Sequence, residues 1–524
     1  MLFRSGAGTA RDCALRGLRV LLIERFDIAT GATGRNHGLL HSGARYAVTD
    51  QESATECIKE NMILKKIARH CVDDTSGLFI TLPEDDLAYQ DTFVKACLAA
   101  GINAEVIDPE EAKRMEPSVN PSLIGAVKVP DGSVDPFRLC ASNVFDAKIH
   151  GAKVLVYSEV IEFIKEQDTI KGVKVLDHHT GIVTDYYAPV TVNAGGIWGH
   201  HIAQMAGANI SMFPAKGALL IFAHRVNSVV INRCRKPANA DILVPGDTVC
   251  VIGTTSTRVP YEECDHLKVT PDEVDLLLTE GAKLAPCLAE TRVLRAYAGV
   301  RPLVSADNDP SGRNISRGIV CLDHETRDGI KGFISITGGK LMTYRLMGEM
   351  AADAVCKKLG RDAKCVTADT PLPGSEPGGI EEISKKIWEV PTMVQKASVG
   401  RFGTQAANLD FDGDVKGSLV CECEEVSVSE VDSAIENLEV NNLVDLRRRT
   451  RFGMGTCQGE LCACRAAGRL AKARKCTAKA RADLKDFMDE RWKGMYPVAW
   501  GETLRESAYT QWVYSEVMGL GEEI

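Results

Sequence analysis

Cys421 and Cys423, in Val420-Cys421-Glu-Cys423, are answered far downstream by Cys457 and Cys462, in Gly455-Thr-Cys457-Gln-Gly-Glu-Leu-Cys462. Core packing does not ask for thiols in two close pairs. Four of them, ionised, can hold an iron–sulfur cluster or a structural zinc ion. The spacing points to a four-thiolate site and favours iron over zinc, though four-cysteine zinc sites use similar close pairs. Cys464, two residues past Cys462, is a possible substitute ligand.

The local patterns predict the elements that carry these thiols. Ser427-Val-Ser-Glu430 is a capping-box pattern that opens a helix through Asn437. Leu443 to Arg449 reads as a second helix, basic at its C-terminal end, as the helix dipole favours. Gly453-Met-Gly-Thr-Cys457 is expected to turn into a third helix, with Cys457 at its N-terminus, where a thiolate is stabilised.

At the other end of the chain, Gly6-Ala-Gly8 opens a predicted helix that stops at Gly17. Leu18 to Glu24 then reads as a buried parallel strand ending in an acid. Helix, strand and terminal Glu24 form the second half of a Rossmann βαβ unit. In that unit the acid binds adenosine ribose hydroxyls and the helix N-terminus faces a pyrophosphate. The first strand and the two leading glycines of G-x-G-x-x-G are absent, so Gly6 occupies the third glycine position. The pattern predicts that Met1 to Ser5 is not the native beginning.

The segment from Asp27 to Tyr46 is rich in glycine, hydroxyls and basic side chains. Small residues let backbone approach a cofactor, and hydroxyl and amide groups bind phosphate oxygens. Here the chain resembles a known family. The stretches Ala29-Thr-Gly-Ala-Thr-Gly-Arg-Asn-His-Gly-Leu-Leu-His-Ser-Gly-Ala-Arg-Tyr46, Val192-Asn-Ala-Gly-Gly-Ile-Trp198, Ile252-Gly-Thr-Thr255, Ala298-Gly-Val-Arg-Pro-Leu303 and Thr337-Gly-Gly-Lys-Leu-Met-Thr-Tyr-Arg345 resemble those of FAD-dependent glycerol-3-phosphate dehydrogenases, in the D-amino-acid-oxidase-like superfamily. The cysteine-rich tail narrows this to the A-subunit branch of the anaerobic enzymes. That tail is similar to the small helical [2Fe-2S] domain of bacterioferritin-associated ferredoxins, with Cys421, Cys423, Cys457 and Cys462 as the implied ligands.

The resemblance implies roles position by position. Gly6 and Gly8 lie at the cofactor helix, and Glu24 binds the ribose. Thr30, Gly31, Thr33 and Gly34 line the pyrophosphate, with Asn36 and His41 closer to the flavin. Asn193, Ala194 and Gly195 form the second cofactor strand and turn. Gly338, Gly339, Lys340 and Leu341 close over the flavin ring, ahead of a predicted helix from Leu341 to Lys357. A helix N-terminus there stabilises negative charge on reduced flavin.

The implied substrate is a phosphate monoester with a secondary alcohol. Its oxidation needs cations for the phosphate, a group at the hydroxyl, and exclusion of water. Arg301 is placed at the reacting hydroxyl, in an extended conformation set by Pro302. Arg45 and Arg317 are placed on the phosphate, with Tyr46 and Lys340 nearby. Single-chain aerobic relatives tend to carry a histidine where this chain has Leu219, so that base does not carry over. His41 is the remaining candidate, since imidazole titrates near operating pH.

The bounds agree with this reading. At 524 residues the chain is large enough for two or three domains. A net charge of −9 argues against nucleic-acid binding. The longest apolar runs, such as Ala218 to Ala223, are far shorter than a membrane span. No export signal is legible, so the 18 cysteines are expected as reduced cytosolic thiols, with Cys140, Cys234 and Cys476 buried or incidental.

The predicted architecture is α/β: a Rossmann-like FAD-binding domain, its first strand missing, with an α+β substrate domain over residues 1–370. A linker region (371–416), a small helical four-cysteine cluster domain (417–475) and an aromatic tail (476–524) that suits a subunit interface follow. The resemblance implies oxidation of sn-glycerol 3-phosphate to dihydroxyacetone phosphate. Electrons then pass through two partners, a second flavin-containing subunit, then a membrane-anchoring iron–sulfur subunit, to quinone on the inner face of the cell membrane. Two rivals stand beside it: an oxidase or dehydrogenase of an amino or hydroxy acid on the same fold, and a non-catalytic electron relay that holds no FAD.

Overall fold

The computed structural model describes residues 4–304, 318–377, 392–412 and 415–521. The first helix, Arg4–Leu15, ends as predicted: Gly17 is left-handed (φ 74°), and the Gly17 and Leu18 amides return to the carbonyls of Ala14 and Cys13. The following strand is shorter than expected, Leu21–Ile23, and pairs in parallel with Lys153–Leu155. A separate three-stranded sheet carries the second cofactor strand. In it Phe333–Gly338 lies between Thr191–Asn193, parallel, and Ile319–Asp323, antiparallel. The helix after the Gly338-Gly339 turn is Tyr344–Lys358 and starts later than predicted, because Lys340–Thr343 is held in a turn by the Thr343 hydroxyl.

The substrate domain is a nine-stranded mixed sheet. Its long antiparallel pair, Met212–Phe222 with Val293–Val304, sets Arg301 opposite Ala215 and Gly299 opposite Gly217. The helix Pro271–Leu284, opened by a Thr270–Glu273 capping box, covers one face. The core there gathers around Leu220, Leu243 and Leu277. A second antiparallel sheet, Ser158–Glu166, Thr169–Asp177 and Val183–Tyr187, lies outside it.

The cluster module forms as its caps dictate. The helix Val428–Asn437 has both bonds of the Ser427/Glu430 capping box, and Leu443–Thr450 follows. The third helix is Ala463–Arg474, so Cys462, not Cys457, lies at its N-terminal boundary. Gly453, Gln458 and Gly459 all have positive φ, which keeps residues 453–459 out of a helix. The tail is part of this module. Phe487 and Tyr514 are buried in one apolar cluster with Cys421, Phe452 and Cys462, so a boundary at residue 475 cuts through a core. Among the described residues no helix is long and apolar enough to cross a membrane.

Candidate functional site

The flavin-loop segment, Asp27 to Tyr46, is pinned by its own side chains. Asn36 donates its amide to the carbonyls of Ala32 (3.1 Å) and Thr33 (2.6 Å) and accepts from the Gly38 amide (2.8 Å). Asn36 is thus a turn brace, and its carbonyl accepts from the Tyr297 hydroxyl at 2.8 Å. Asn193 acts similarly, donating to Gly199 and Ser335 and accepting from the Gly195 amide at 3.0 Å. At Gly34 a Cβ would lie 2.2 Å from the Ala29 carbonyl oxygen, so only glycine lets the loop fold this closely. The Thr30 hydroxyl donates to the Asp27 carbonyl, the Gly34 amide donates to the Gly31 carbonyl, and Thr33 is fully buried.

Glu24 is buried at the end of its strand, where it accepts from the Phe26 amide at 3.0 Å, and burial pushes its carboxyl upward. Gly6 lies in the first turn of the opening helix. Gly8, in the same helix, is closely packed. Its Cβ would meet Tyr344 at 2.9 Å, and one on Gly348 would meet Gly8 at 2.7 Å, so this pair lets two helices cross closely.

The loop, the long strand pair and the Gly338-Gly339 turn enclose a cavity of about 1010 Å³, mouth included. Asn36, His41, Arg45, Tyr46, Arg301, Gly339, Lys340 and Leu341 all line it, as does Leu219. Gly338 and Gly339 are both left-handed, and a Cβ on either would strike a neighbour, at 2.4 Å from the Gly318 carbonyl oxygen and 2.6 Å from the Met347 sulfur. Ala194 lies in the turn after Asn193. Arg317 lies outside the described residues.

Arg301 is fixed by oxygens, two of them from the Ile252–Thr255 stretch. It donates to the Thr255 carbonyl (3.0 Å), the Lys216 carbonyl (3.4 Å), the Ser256 hydroxyl (3.4 Å) and the Thr254 hydroxyl. A Cβ on Gly217 would lie 2.5 Å from its Nη2. Arg45 is ion-paired with the fully buried Asp241 at 3.0 Å, and Arg235 shares that carboxylate at 2.7 Å. Burial opposes the charge on Asp241, but Arg45 and Arg235 outweigh it and hold the carboxyl below its usual range. Three charges thus sum to one positive. The Lys340 ammonium stands over the Tyr46 ring, 4.9 Å from its centre, and the His41 ring lies 5.4 Å from the same ring.

In the cluster module the four predicted thiols come together. Cys457 is hydrogen-bonded to Cys423 and Cys462, and Cys421 to Cys462. Backbone amides of Gly453 and Glu424 point at the Cys421 sulfur, and those of Gly459 and Leu461 at Cys457. The bonds from Cys423 and Cys462 draw the Cys457 thiol well below its usual range, against burial. Among the described residues no group of three or more His, Cys, Asp or Glu side chains is spaced to hold a metal ion. Four sulfurs ringed by amide donors are nevertheless the donor set of a cysteine-ligated cluster. Gly455 is needed for this approach, since its Cβ would lie 2.6 Å from the Cys423 Cβ. Cys464 faces Met518 at 3.6 Å instead.

Comparison with known proteins agrees with both halves. Residues 5–345 match the family model for FAD dependent oxidoreductases, and residues 419–470 match the BFD-like [2Fe-2S] binding domain, which decides for the cluster over zinc. The A subunit of the anaerobic glycerol-3-phosphate dehydrogenase of Haemophilus influenzae is 62% identical over 99% of this chain and 92% of its own. That of Escherichia coli strain K12 is 63% identical over 99% and 96%. The structure of the glycerol-3-phosphate dehydrogenase from Bacillus halodurans, complexed with FAD, shares the fold with a TM-score of 0.71 over 95% of both chains at 21% identity. The chain therefore belongs to the family of anaerobic glycerol-3-phosphate dehydrogenase A subunits, FAD-dependent oxidoreductases that carry a C-terminal [2Fe-2S] domain.

Proposed function

We propose that this chain oxidises sn-glycerol 3-phosphate to dihydroxyacetone phosphate. The observation that carries the reading is the convergence of Arg301, Arg45 and Lys340 on one cavity beside His41. Bound FAD supplies the hydride acceptor. Arg301, its guanidinium immobilised by the Thr254–Ser256 oxygens, holds the hydroxyl oxygen as its proton leaves. The proton passes to a ring nitrogen of His41. Arg45 and Lys340 take the phosphate, with Arg317 expected to join them. Glu24 accepts from the ribose hydroxyls, a use that suits a buried carboxylate with a single backbone donor.

Electrons leave through the cluster to a second flavin-containing subunit, then to a membrane-anchoring iron–sulfur subunit, then to quinone at the inner face of the cell membrane. Support comes from the relatives' name, which makes each of them one subunit of a larger enzyme. The exposed aromatics Trp492, Tyr496, Trp500, Tyr509 and Trp512 on the C-terminal helices suit a subunit interface as well.

A visible spectrum of the anaerobic chain before and after glycerol 3-phosphate tests the reading. The flavin band is expected to bleach. A band that stays, or that bleaches only with an amino acid, overturns it.

A further inference from the structure

Two of the oxygens that aim Arg301 are main-chain carbonyls from separate stretches of chain. Lys216 belongs to the strand Met212–Phe222, and its carbonyl accepts from Arg301 Nη1 at 3.4 Å. The Thr255 carbonyl accepts from Nη2 at 3.0 Å. Thr255 lies in a break in the ladder. The strand Cys250–Gly253 pairs with Leu219 to Phe222, and pairing resumes where Thr257 and Arg258 meet Lys216 and Ala215. Between those stretches residues 254–256 leave the ladder. Thr255 keeps contact through Ala218: its amide donates to the Ala218 carbonyl at 3.4 Å, and its hydroxyl accepts from the Ala218 amide at 2.9 Å.

Glu273 reaches both stretches. Its Oε1 accepts from the Thr255 hydroxyl at 3.1 Å, and its Oε2 from the Lys216 ammonium at 2.9 Å. These are the two residues that give Arg301 their carbonyls. Lys216 is tied further by donating to the Lys268 carbonyl at 2.9 Å. The Glu273 and Lys216 side chains are only 12% and 10% exposed, so salt and water screen the pair little. Glu273 comes from the helix Pro271–Leu284 and acts from outside the cavity lining. There it also accepts from the Thr270 amide at 3.0 Å, as one half of the capping box. A cap needs neither Lys216 nor Thr255, so these two bonds call for another explanation.

We propose that Glu273 is a positioning residue for the oxidation. It ties Thr255 to Lys216, so that their carbonyls hold the Arg301 guanidinium at the reacting oxygen. The inference rests on the proposed place of Arg301 at the substrate hydroxyl. Without Glu273 the buried Lys216 ammonium loses its anion and the Thr255 hydroxyl its acceptor. Both carbonyls then shift with their residues.

The test is a double-mutant cycle on the full chain, loaded with FAD and cluster, read as kcat and KM for glycerol 3-phosphate. Glu273→Ala should lower kcat at least about tenfold and change KM less than about twofold, as losing a transition-state contact does. Thr270→Ala breaks the same capping box, so it should lower the melting temperature while kcat stays within about twofold of native. In the Arg301→Ala background, Glu273→Ala should cost less than about a further twofold, because the residue it serves is gone. Fully multiplicative losses in the cycle, or equal kcat losses in Thr270→Ala and Glu273→Ala, overturn the proposal. A crystal structure of Glu273→Ala gives a readout free of turnover. In it Arg301 Nη2 should stand beyond about 3.5 Å from the Thr255 carbonyl oxygen, and a bond kept at 3.0 Å overturns the proposal. If Glu273→Ala does not fold, Glu273→Gln, which keeps the cap, takes its place, and a native kcat in that variant overturns the proposal. A native chain whose flavin does not bleach with glycerol 3-phosphate overturns the substrate reading alone, because the crystal structure still decides whether Glu273 positions Arg301.

Discussion

Arg449 of the cluster module grips both carboxylate oxygens of Asp27, the residue that opens the flavin loop, and both side chains are fully buried. Arg448 adds a contact to Asp27 at 2.9 Å. Burial opposes the charge on Asp27, yet the two arginines outweigh it and keep the carboxyl below its usual range. The pair therefore ties the two cofactor modules at the loop that shapes the flavin site. Removing one partner of a buried pair strands the other charge, at about 3–5 kcal/mol. Arg449→Met should lower the unfolding free energy by about 3 kcal/mol in urea titrations. Adding Asp27→Asn should recover part of that loss. An unchanged midpoint in the single variant would refute the latch.

Arg301 has its guanidinium held in place by Thr254, Thr255 and Ser256, so it meets a reacting oxygen without reorganising. Arg301→Ala should cut kcat by about 10²- to 10³-fold, the scale for losing one preorganised donor. FAD content, read from the flavin band of the purified variant, should stay at one per chain. Loss of flavin in step with activity would make Arg301 a structural residue.

Gly217 tests the same arrangement without touching the charge. A Cβ there would lie 2.5 Å from the Arg301 Nη2, and the residue sits in the middle of a long strand pair. Gly217→Ala should push the guanidinium off its oxygens and lower kcat at least about tenfold, while the melting temperature falls little. Wild-type turnover in this variant would mean that the position of Arg301 has slack.

The helices of the cluster module were legible because their signals are local. Ser427 and Glu430 cap each other across one turn, and Asn442 caps the next helix through Asp445. The third helix starts later than its pattern suggests, because the left-handed Gly453, Gln458 and Gly459 are not distinguishable in sequence from residues at the start of a helix. The site was legible as a set of positions and less so as a set of roles. Asn36 and Asn193 have the amides a cofactor site wants, but the same amides brace turns, and here they do. Asp241 neutralises part of Arg45 from a position far along the chain that no spacing rule connects to it. Phe487 and Tyr514 read as a tail because nothing local reveals that they close the core behind the thiols.

Cys457 and Cys464 are separated by a few residues and by opposite surroundings. Cys457 is bonded to two other cysteines and two amides, whereas Cys464 faces Met518. Cys457→Ser should abolish the broad cluster absorbance and its paramagnetic signal on reduction, and leave flavin bleaching by substrate intact. Cys464→Ser should change neither. A cluster lost in the Cys464 variant would move the ligand set by two residues.

His70 gives the fold a pH dependence outside the site. Its Nδ1 meets the Ser375 hydroxyl at 2.7 Å and its Nε2 the Ser142 hydroxyl at 3.0 Å, so it pins the segment after residue 370 to the helix Pro136–Ile149. Burial, helped by Arg138, lowers its pKa from 6.5 to about 4. The folded state therefore binds this proton less readily than the unfolded chain does. Stability from the neutral imidazole is complete above about pH 6.5 and is lost as the pH falls towards 4, by about 3 kcal/mol in all. His70→Gln keeps hydrogen-bonding groups at this position and does not titrate. It should flatten that part of the stability profile, measured by urea unfolding at steps between pH 7 and 4. Equal slopes for the variant and the native chain would show that other groups carry the acid sensitivity.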